Sequence, residues 1–201
     1  MSLLLNNLPN RKIKMIKKVF YILICLFILG VPPMYGATRI EVEQVFEEAK
    51  PMCLAAMRRC TFRTIEFNAP VAYTQYGEIT ISSGIYNIMD RDEVRAVVFH
   101  EVAHAVLRHS EKAQSFYNEF AMINRRPPTS KDITKFRHNG ENQADAMAVL
   151  MLYVGRYPIT LDSALTKIVQ KYNNGDNCDS HPSAAYRIQH INNIKQKLGV
   201  N

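Results

Sequence analysis

The sequence lacks an apolar run of the length that an ordinary transmembrane helix needs. Such a helix takes about 20 consecutive apolar residues, whereas the longest run here spans only residues 19–31. No two of the four cysteines form a CxxC pair, which argues against a structural zinc site of the cysteine type. There is also no internal repeat and no sign of a second domain. With 201 residues and 47% hydrophobic content, the chain can form one compact domain with a substantial core.

Acidic residues are absent from the first 36 residues, which carry five basic ones: Arg11, Lys12, Lys14, Lys17 and Lys18. This segment therefore supplies +5 of the net charge of +7, and residues 37–201 carry only +2. A protein that binds nucleic acid through its folded domain would need the basic charge on that domain. We therefore expect no nucleic-acid partner.

The basic stretch, the apolar run and the small residues Gly36 and Ala37 follow one another in the order of a secretory signal peptide. We expect cleavage near Ala37, which leaves residues 37–201 as a single exported domain, periplasmic or secreted. The alternative is that residues 1–36 stay attached as an N-terminal anchor and associate the protein with a membrane. The sequence does not indicate an oligomeric state.

Three cysteines remain after removal of residues 1–36, namely Cys53, Cys60 and Cys178. If one helix carries both Cys53 and Cys60, the two lie about 10 Å apart along its axis, too far for a disulfide bond. In an exported protein we expect either of them to pair with Cys178. The alternative is three reduced, buried thiols.

The spacing of apolar residues predicts a mainly helical α+β domain with a small antiparallel sheet beside the helix of residues 91–109. The expected helices span residues 40–60, 91–109, 111–123, 140–154 and 160–171, with a last one from about residue 183. The expected strands span residues 64–67, 71–76 and 79–81, and one of them should be an exposed edge. Residues 124–137 hold five basic side chains around two prolines and are expected to form an exposed loop.

The segment His100-Glu101-Val102-Ala103-His104 has the spacing by which a helix builds a zinc-peptidase site. Two imidazoles four residues apart lie on one helical face, about 6 Å from each other, and can bind one metal ion. The carboxylate of Glu101 can then reach a metal-bound water. The same pattern also occurs by chance on solvated helices. Here the helix begins with a capping signal, Asp90 with Glu93, and is apolar throughout, which favours the metal site.

A catalytic zinc ion normally takes three protein ligands. A metzincin would supply a third His six residues after His104, but that position is Ser110. The remaining candidate is a Glu on a separate helix, and Glu141 fits best. Asp145 lies on the same helical face as Glu141, where it can accept a hydrogen bond from a ligand imidazole.

Together these segments resemble the gluzincin metallopeptidases of the HtpX-like and CAAX prenyl protease type, peptidase family M forty-eight. The resemblance covers roughly residues 68–187. It is carried by Asn68-Ala69, Gly77-Glu78-Ile79-Thr80-Ile81, Gly84, Asp92-Glu93-Val94, Val97-Val98-Phe99, His100 to His104, Arg108-His109, Glu141 to Asp145, His181-Pro182 and Arg187-Ile188. The chain lacks the multiple membrane spans of those members, so it resembles a small soluble relative, and prenylated substrates are not expected.

The resemblance implies a zincin-like fold and a zinc-dependent endopeptidase that acts on polypeptide substrates. One Zn²⁺ would be held by His100, His104 and Glu141, and Glu101 would be the general base. Asp145 and Arg187 would support the ligands. His181 would stabilise the oxyanion or occupy the open metal position as a latency switch, or it is an ordinary loop residue. The edge strand that binds an extended substrate would be formed by Ile79, Thr80, Ile81 and Ser82.

The remaining histidines, His109, His138 and His190, are expected to be structural or to face solvent. Two rival functions stay open. One is a non-catalytic chaperone or binding protein that keeps the metal and holds extended polypeptides on its edge strand. The other is a structural envelope protein whose histidines bind nothing.

Overall fold

The structure is a computed structural model that describes residues 36–172 and 181–200. These residues belong to a unit that spans Gly36–Asn201. Its helices and strands are, in chain order, α1 (Arg39–Ala55), β1 (Thr61–Ile65), β2 (Ala72–Gln75), β3 (Glu78–Ser82), α2 (Ser83–Tyr86), α3 (Arg91–Val106), α4 (His109–Asn124), α5 (Ser130–Val154), α6 (Leu161–Tyr172) and α7 (Ala184–Lys197). The domain is therefore mainly helical with one small sheet, as predicted.

Helix α3 is the centre of the fold and packs against α1, α5 and the sheet. It begins as the sequence predicts: the Asp90 carboxylate accepts the backbone N–H groups of Asp92 and Glu93, and the Glu93 carboxylate accepts that of Asp90. Most of its side chains are buried, including the fully buried Val94, Val98, Phe99 and Val102. A functional residue on α3 is thus held by packing on several sides.

Helix α3 ends at Val106, three residues earlier than predicted. Arg108 adopts a left-handed backbone conformation, with φ of 59°, and this stops the helix. The chain then turns and enters α4 at His109. This turn decides where the His109 side chain lies.

The cysteine pairing differs from the prediction, because Cys53 and Cys60 form a disulfide bond. Helix α1 contains Pro51 without being divided there, but it ends at Ala55, so one helix does not carry both cysteines. Met57 is left-handed, with φ of 52°, and the chain turns back toward the helix end. This brings the two Cα atoms to 6.1 Å, within the range for a disulfide bond. Cys178 lies outside the described residues.

The sheet is mixed rather than wholly antiparallel, with strand order β1-β3-β2. Strands β2 and β3 form a hairpin whose turn residues, Tyr76 and Gly77, have positive φ of 49° and 88°. Strand β3 pairs antiparallel with β2 and, on its other side, parallel with β1. It is therefore the central strand of the sheet.

The position of β3 corrects the prediction that Ile79, Thr80, Ile81 and Ser82 form a substrate-binding edge strand. The backbone of β3 is paired on both sides, and these four residues are buried. They are core residues of the sheet. Both β2 and β3 contact α3, and of these two β2 is the edge strand; its Thr74 hydroxyl contacts Glu101.

Helix α5 begins ten residues before its predicted start, so most of the expected loop 124–137 is helical. The Thr129 side chain caps the helix, and Asp132 completes the capping box. Only the short connection around Pro127 and Pro128 remains non-helical. Phe136 of α5 stacks on Phe116 of α4, with ring centroids 4.3 Å apart, so the two helices touch at this point.

Within residues 36–172 and 181–200, no helix combines the length and apolar character that crossing a membrane requires. The predicted signal peptide or anchor lies outside the described residues except for Gly36.

Candidate metal centre

Three potential metal ligands from two helices meet at the centre of the domain. His100 and His104 lie one turn apart on α3, and Glu141 lies on α5. Nε2 of His100 is 3.4 Å from Oε2 of Glu141, and Nε2 of His104 is 3.4 Å from Oε1. The ligand atoms all lie within 4.8 Å of one another. The structure thus brings the three predicted ligands together, with both histidines presenting Nε2.

The surroundings of Glu141 fit a cation. Its Oε2 atom is buried and has three nitrogen atoms at 3.1 to 3.4 Å, from His181, Arg187 and His100, yet none of them gives it a well-directed hydrogen bond. Burial opposes ionisation of Glu141, but the close contacts with the neighbouring imidazoles outweigh it and lower the pKa of Glu141 well below its usual value. The carboxylate is therefore ionised and close to both imidazoles.

Glu101, the predicted general base, lies beside this cluster and is buried. The hydroxyl of Thr74 lies 2.9 Å from its Oε2 atom and 2.8 Å from its backbone oxygen, so the one hydroxyl proton is shared between these two acceptors. Thr74 belongs to β2. The edge strand and the carboxylate are thereby connected by a direct contact.

His100 is supported by charged residues. Its Nδ1 atom is 2.9 Å from Oδ1 of Asp145, which is fully buried. Arg187 of α7 donates to both carboxylate oxygens of Asp145, at 2.9 and 2.6 Å. The structure thus forms the contacts predicted for Asp145 and Arg187.

These charges control protonation on the His100 side. Burial opposes the charged form of His100, but its contacts with the carboxylates of Asp145 and Glu141 outweigh this effect and raise its pKa to about 10. Burial also opposes ionisation of Asp145, yet the Arg187 guanidinium lowers the pKa of Asp145 to about 2. A cation that binds at Nε2 of His100 takes the place of a proton on that atom.

His104 is supported by neutral residues. Its Nδ1 atom is 2.8 Å from Nδ1 of His109, and Nε2 of His109 is 3.3 Å from the side-chain oxygen of Gln143 on α5. Burial and, to a smaller extent, the electrostatic effect of His104 lower the pKa of His109 to about 4. The expectation that His109 is structural or solvent-facing missed this contact. The sequence shows that His109 directly follows the metal-binding helix. It does not show the left-handed backbone at Arg108, which turns the His109 side chain back toward this helix.

Residues 38–125 match the model of peptidase family M48. This match supports the assignment of the chain to the M48 family of metallopeptidases. No match was found among curated proteins. The matched part of the chain includes His100, Glu101 and His104 but ends before Glu141, so it is the geometry that brings Glu141 into the metal centre.

His181 lies beside the three candidate metal ligands. Its Nδ1 atom is 3.1 Å from Oε2 of Glu141, and 53% of its side chain is exposed. His181 therefore contacts the ligand cluster and is also accessible to solvent. Its role in oxyanion stabilisation or latency stays a prediction. His190 lies farther along α7, where Nε2 contacts the backbone oxygen of Asn142 at 3.2 Å.

Proposed function

We propose that this protein is a zinc-dependent endopeptidase that hydrolyses exported or envelope proteins, with Glu101 as general base. The observation that carries the proposal is the meeting of His100, His104 and Glu141 beside Glu101. Two imidazole nitrogens and one carboxylate oxygen form a donor set of catalytic zinc sites, which keep a fourth position for water or substrate. Zinc is the metal that this set fits best.

The chemistry divides between the metal and the chain. A bound zinc ion would supply an activated water molecule and polarise the scissile carbonyl group. Glu101 accepts the proton of the attacking water and then donates it to the amine leaving group. Because the Thr74 hydroxyl contacts Oε2 of Glu101, we assign the proton to the other carboxylate oxygen, Oε1.

We assign the binding of an extended substrate to the outer edge of β2. Among the described residues, β2 pairs only with β3, so no strand lies along its other side. The contact between Thr74 and Glu101 supports this edge as the one nearest the general base. A substrate that pairs through its backbone would be recognised with little dependence on its side chains.

Export is proposed from residues 1–36, with a periplasmic or secreted mature domain. The disulfide bond between Cys53 and Cys60 supports this proposal, because such bonds persist in oxidising compartments and are rare in the cytosol.

The test is the substitution Glu101→Gln, assayed on casein and on a quenched fluorescent peptide, with zinc content measured on the same samples. Removing the general base while keeping the ligands should lower kcat by at least about 100-fold with zinc content unchanged. Glu119→Gln, at an exposed acid of α4, is the matched control and should keep full activity.

Undiminished cleavage by Glu101→Gln would remove Glu101 from the mechanism. A wild-type protein that binds unfolded polypeptide but cleaves none, with or without chelator, would favour the non-catalytic holding function instead. A wild-type protein that binds no zinc would contradict the zinc site itself.

A further inference from the structure

The contact between His104 and His109 has only one arrangement of protons that leaves His104 able to bind a metal. Nε2 of His104 points toward Glu141 and must present a lone pair there. The proton of the neutral imidazole is then on Nδ1, the atom that lies 2.8 Å from Nδ1 of His109. Since only one of two facing nitrogens can carry the shared proton, Nδ1 of His109 must be an acceptor.

The same reasoning fixes the proton of His109. An imidazole that accepts at Nδ1 and is neutral carries its proton on Nε2. That atom lies 3.3 Å from the side-chain oxygen of Gln143, which can accept it. One chain of donors and acceptors therefore runs from Gln143 through His109 to His104, and every member has the partner that its tautomer requires.

We propose that His109 is a positioning residue that holds His104 in its metal-binding tautomer and orientation, with Gln143 fixing the tautomer of His109. The inference rests on the proposed zinc site and extends it to two residues outside the predicted set. His109 is not a fourth ligand, because it faces the side of His104 opposite to Glu141.

The local fold explains why His109 can take this role. Its ring meets that of His104 edge to face, with centroids 4.8 Å apart. A regular continuation of α3 would carry residue 109 away from the face of His104, since five residues correspond to about 500° of rotation. The left-handed Arg108 ends that helix and restarts the chain as α4. Gln143 lies on α5 between Glu141 and Asp145, so one helix supplies a ligand and the outer supports of both histidines.

The test compares His109→Phe, which keeps a ring but removes the acceptor, with His109→Gln, which offers a side-chain oxygen as acceptor. The zinc dissociation constant is measured by competition with a chromophoric chelator. Loss of an outer partner of a ligand histidine typically weakens metal binding about 10- to 100-fold. We expect a loss of this size in His109→Phe and recovery of most of the affinity in His109→Gln.

Nitrogen-15 NMR of the zinc-loaded protein gives a readout that a merely structural role would not change. The Nδ1 proton of His104 should be protected from exchange with water in the wild type and in His109→Gln, and should exchange rapidly in His109→Phe. His190→Phe, which removes an imidazole outside the ligand cluster, is the control and should leave both measurements unchanged.

Equal zinc affinity in the wild type and His109→Phe would overturn the inference, and so would equal weakening in His109→Phe and His109→Gln. If His109→Phe does not fold, Gln143→Leu replaces it and should weaken zinc binding by a smaller factor, while unchanged binding in that variant overturns the inference. Failure of the proposed function is distinguishable, since wild type would then bind no zinc or bind it without cleaving peptide.

Discussion

The two histidines of the metal centre are supported in opposite ways. His100 is held by a buried carboxylate that is paired with a buried guanidinium, whereas His104 is held by a second imidazole and an amide. The side chain of His100 is 8% exposed and that of His104 is 17% exposed. The charged support thus lies on the more enclosed side and the neutral support on the more open side.

The difference teaches what each support can do. A buried carboxylate needs a counter-ion, since an unpaired charge in the interior is costly, and Arg187 satisfies that need by joining α5 to α7. The charged side is therefore part of the fold as well as of the site. A neutral histidine has no such cost, so the other side can orient its ligand without adding a charge beside Glu101.

Removing the ligand that both sides share should have the largest effect. In Glu141→Gln both imidazoles lose the carboxylate toward which their Nε2 atoms point. We expect zinc affinity to fall by more than about 100-fold, beyond the loss typical of an outer support, with peptidase activity lost in parallel. Chelator competition measures the affinity, and Glu43→Gln on the exposed face of α1 serves as control. Near-normal zinc binding by Glu141→Gln would exclude Glu141 as the third ligand.

Removing the charged support of His100, the Asp145 carboxylate, should affect metal binding and stability together. Asp145→Asn removes the negative charge that faces Arg187 and His100 and leaves a single acceptor oxygen for the donors of both residues. We expect zinc affinity about 10- to 100-fold weaker and the free energy of unfolding of the metal-free protein lower by about 3 kcal/mol, because a buried charge loses its partner. Urea unfolding measures the second quantity. His109→Phe should cause a comparable loss of zinc affinity with a smaller loss of stability.

The double variant Asp145→Asn with Arg187→Met sharpens this prediction. Without the guanidinium, no unpaired cation remains beside residue 145, so part of the lost stability should return while zinc binding stays weak. If stability and zinc affinity recover together, the charged side does not have the two separate roles that we assign to it.

Local sequence patterns were sufficient to predict the charged side of the metal centre, which supports His100. The capping box at Asp90 and Glu93 predicts the start of α3, the spacing of His100 and His104 predicts a shared face, and Glu141 with Asp145 repeats that spacing. Each of these signals lies within a single helix, where side-chain direction follows from sequence position.

The neutral side, which supports His104, depends on features that sequence spacing does not reveal, and so do other parts of the fold. Left-handed backbone at Met57 and Arg108 is unusual for side chains of this kind, so neither the disulfide bond nor the position of His109 could be anticipated. The central position of β3 depends on which strands pair, and this is decided by contacts distant in sequence. Prediction thus succeeded for side-chain spacing within α3 and around Glu141, while it failed where the chain reverses direction and at the start of α5.

The smallest expected effect on the metal centre comes from the disulfide bond, which touches neither side of it. The double substitution of Cys53 and Cys60 by alanine opens a short loop at the junction of α1 and β1. Loop-closure entropy predicts a loss of about 2 kcal/mol in the free energy of unfolding, measured by urea unfolding under non-reducing conditions. The zinc dissociation constant should stay unchanged, because α1 supplies no ligand and no support to either histidine. A parallel fall in zinc affinity would mean that α1 controls the position of α3, and that the difference between the two histidines is not set by their immediate neighbours alone.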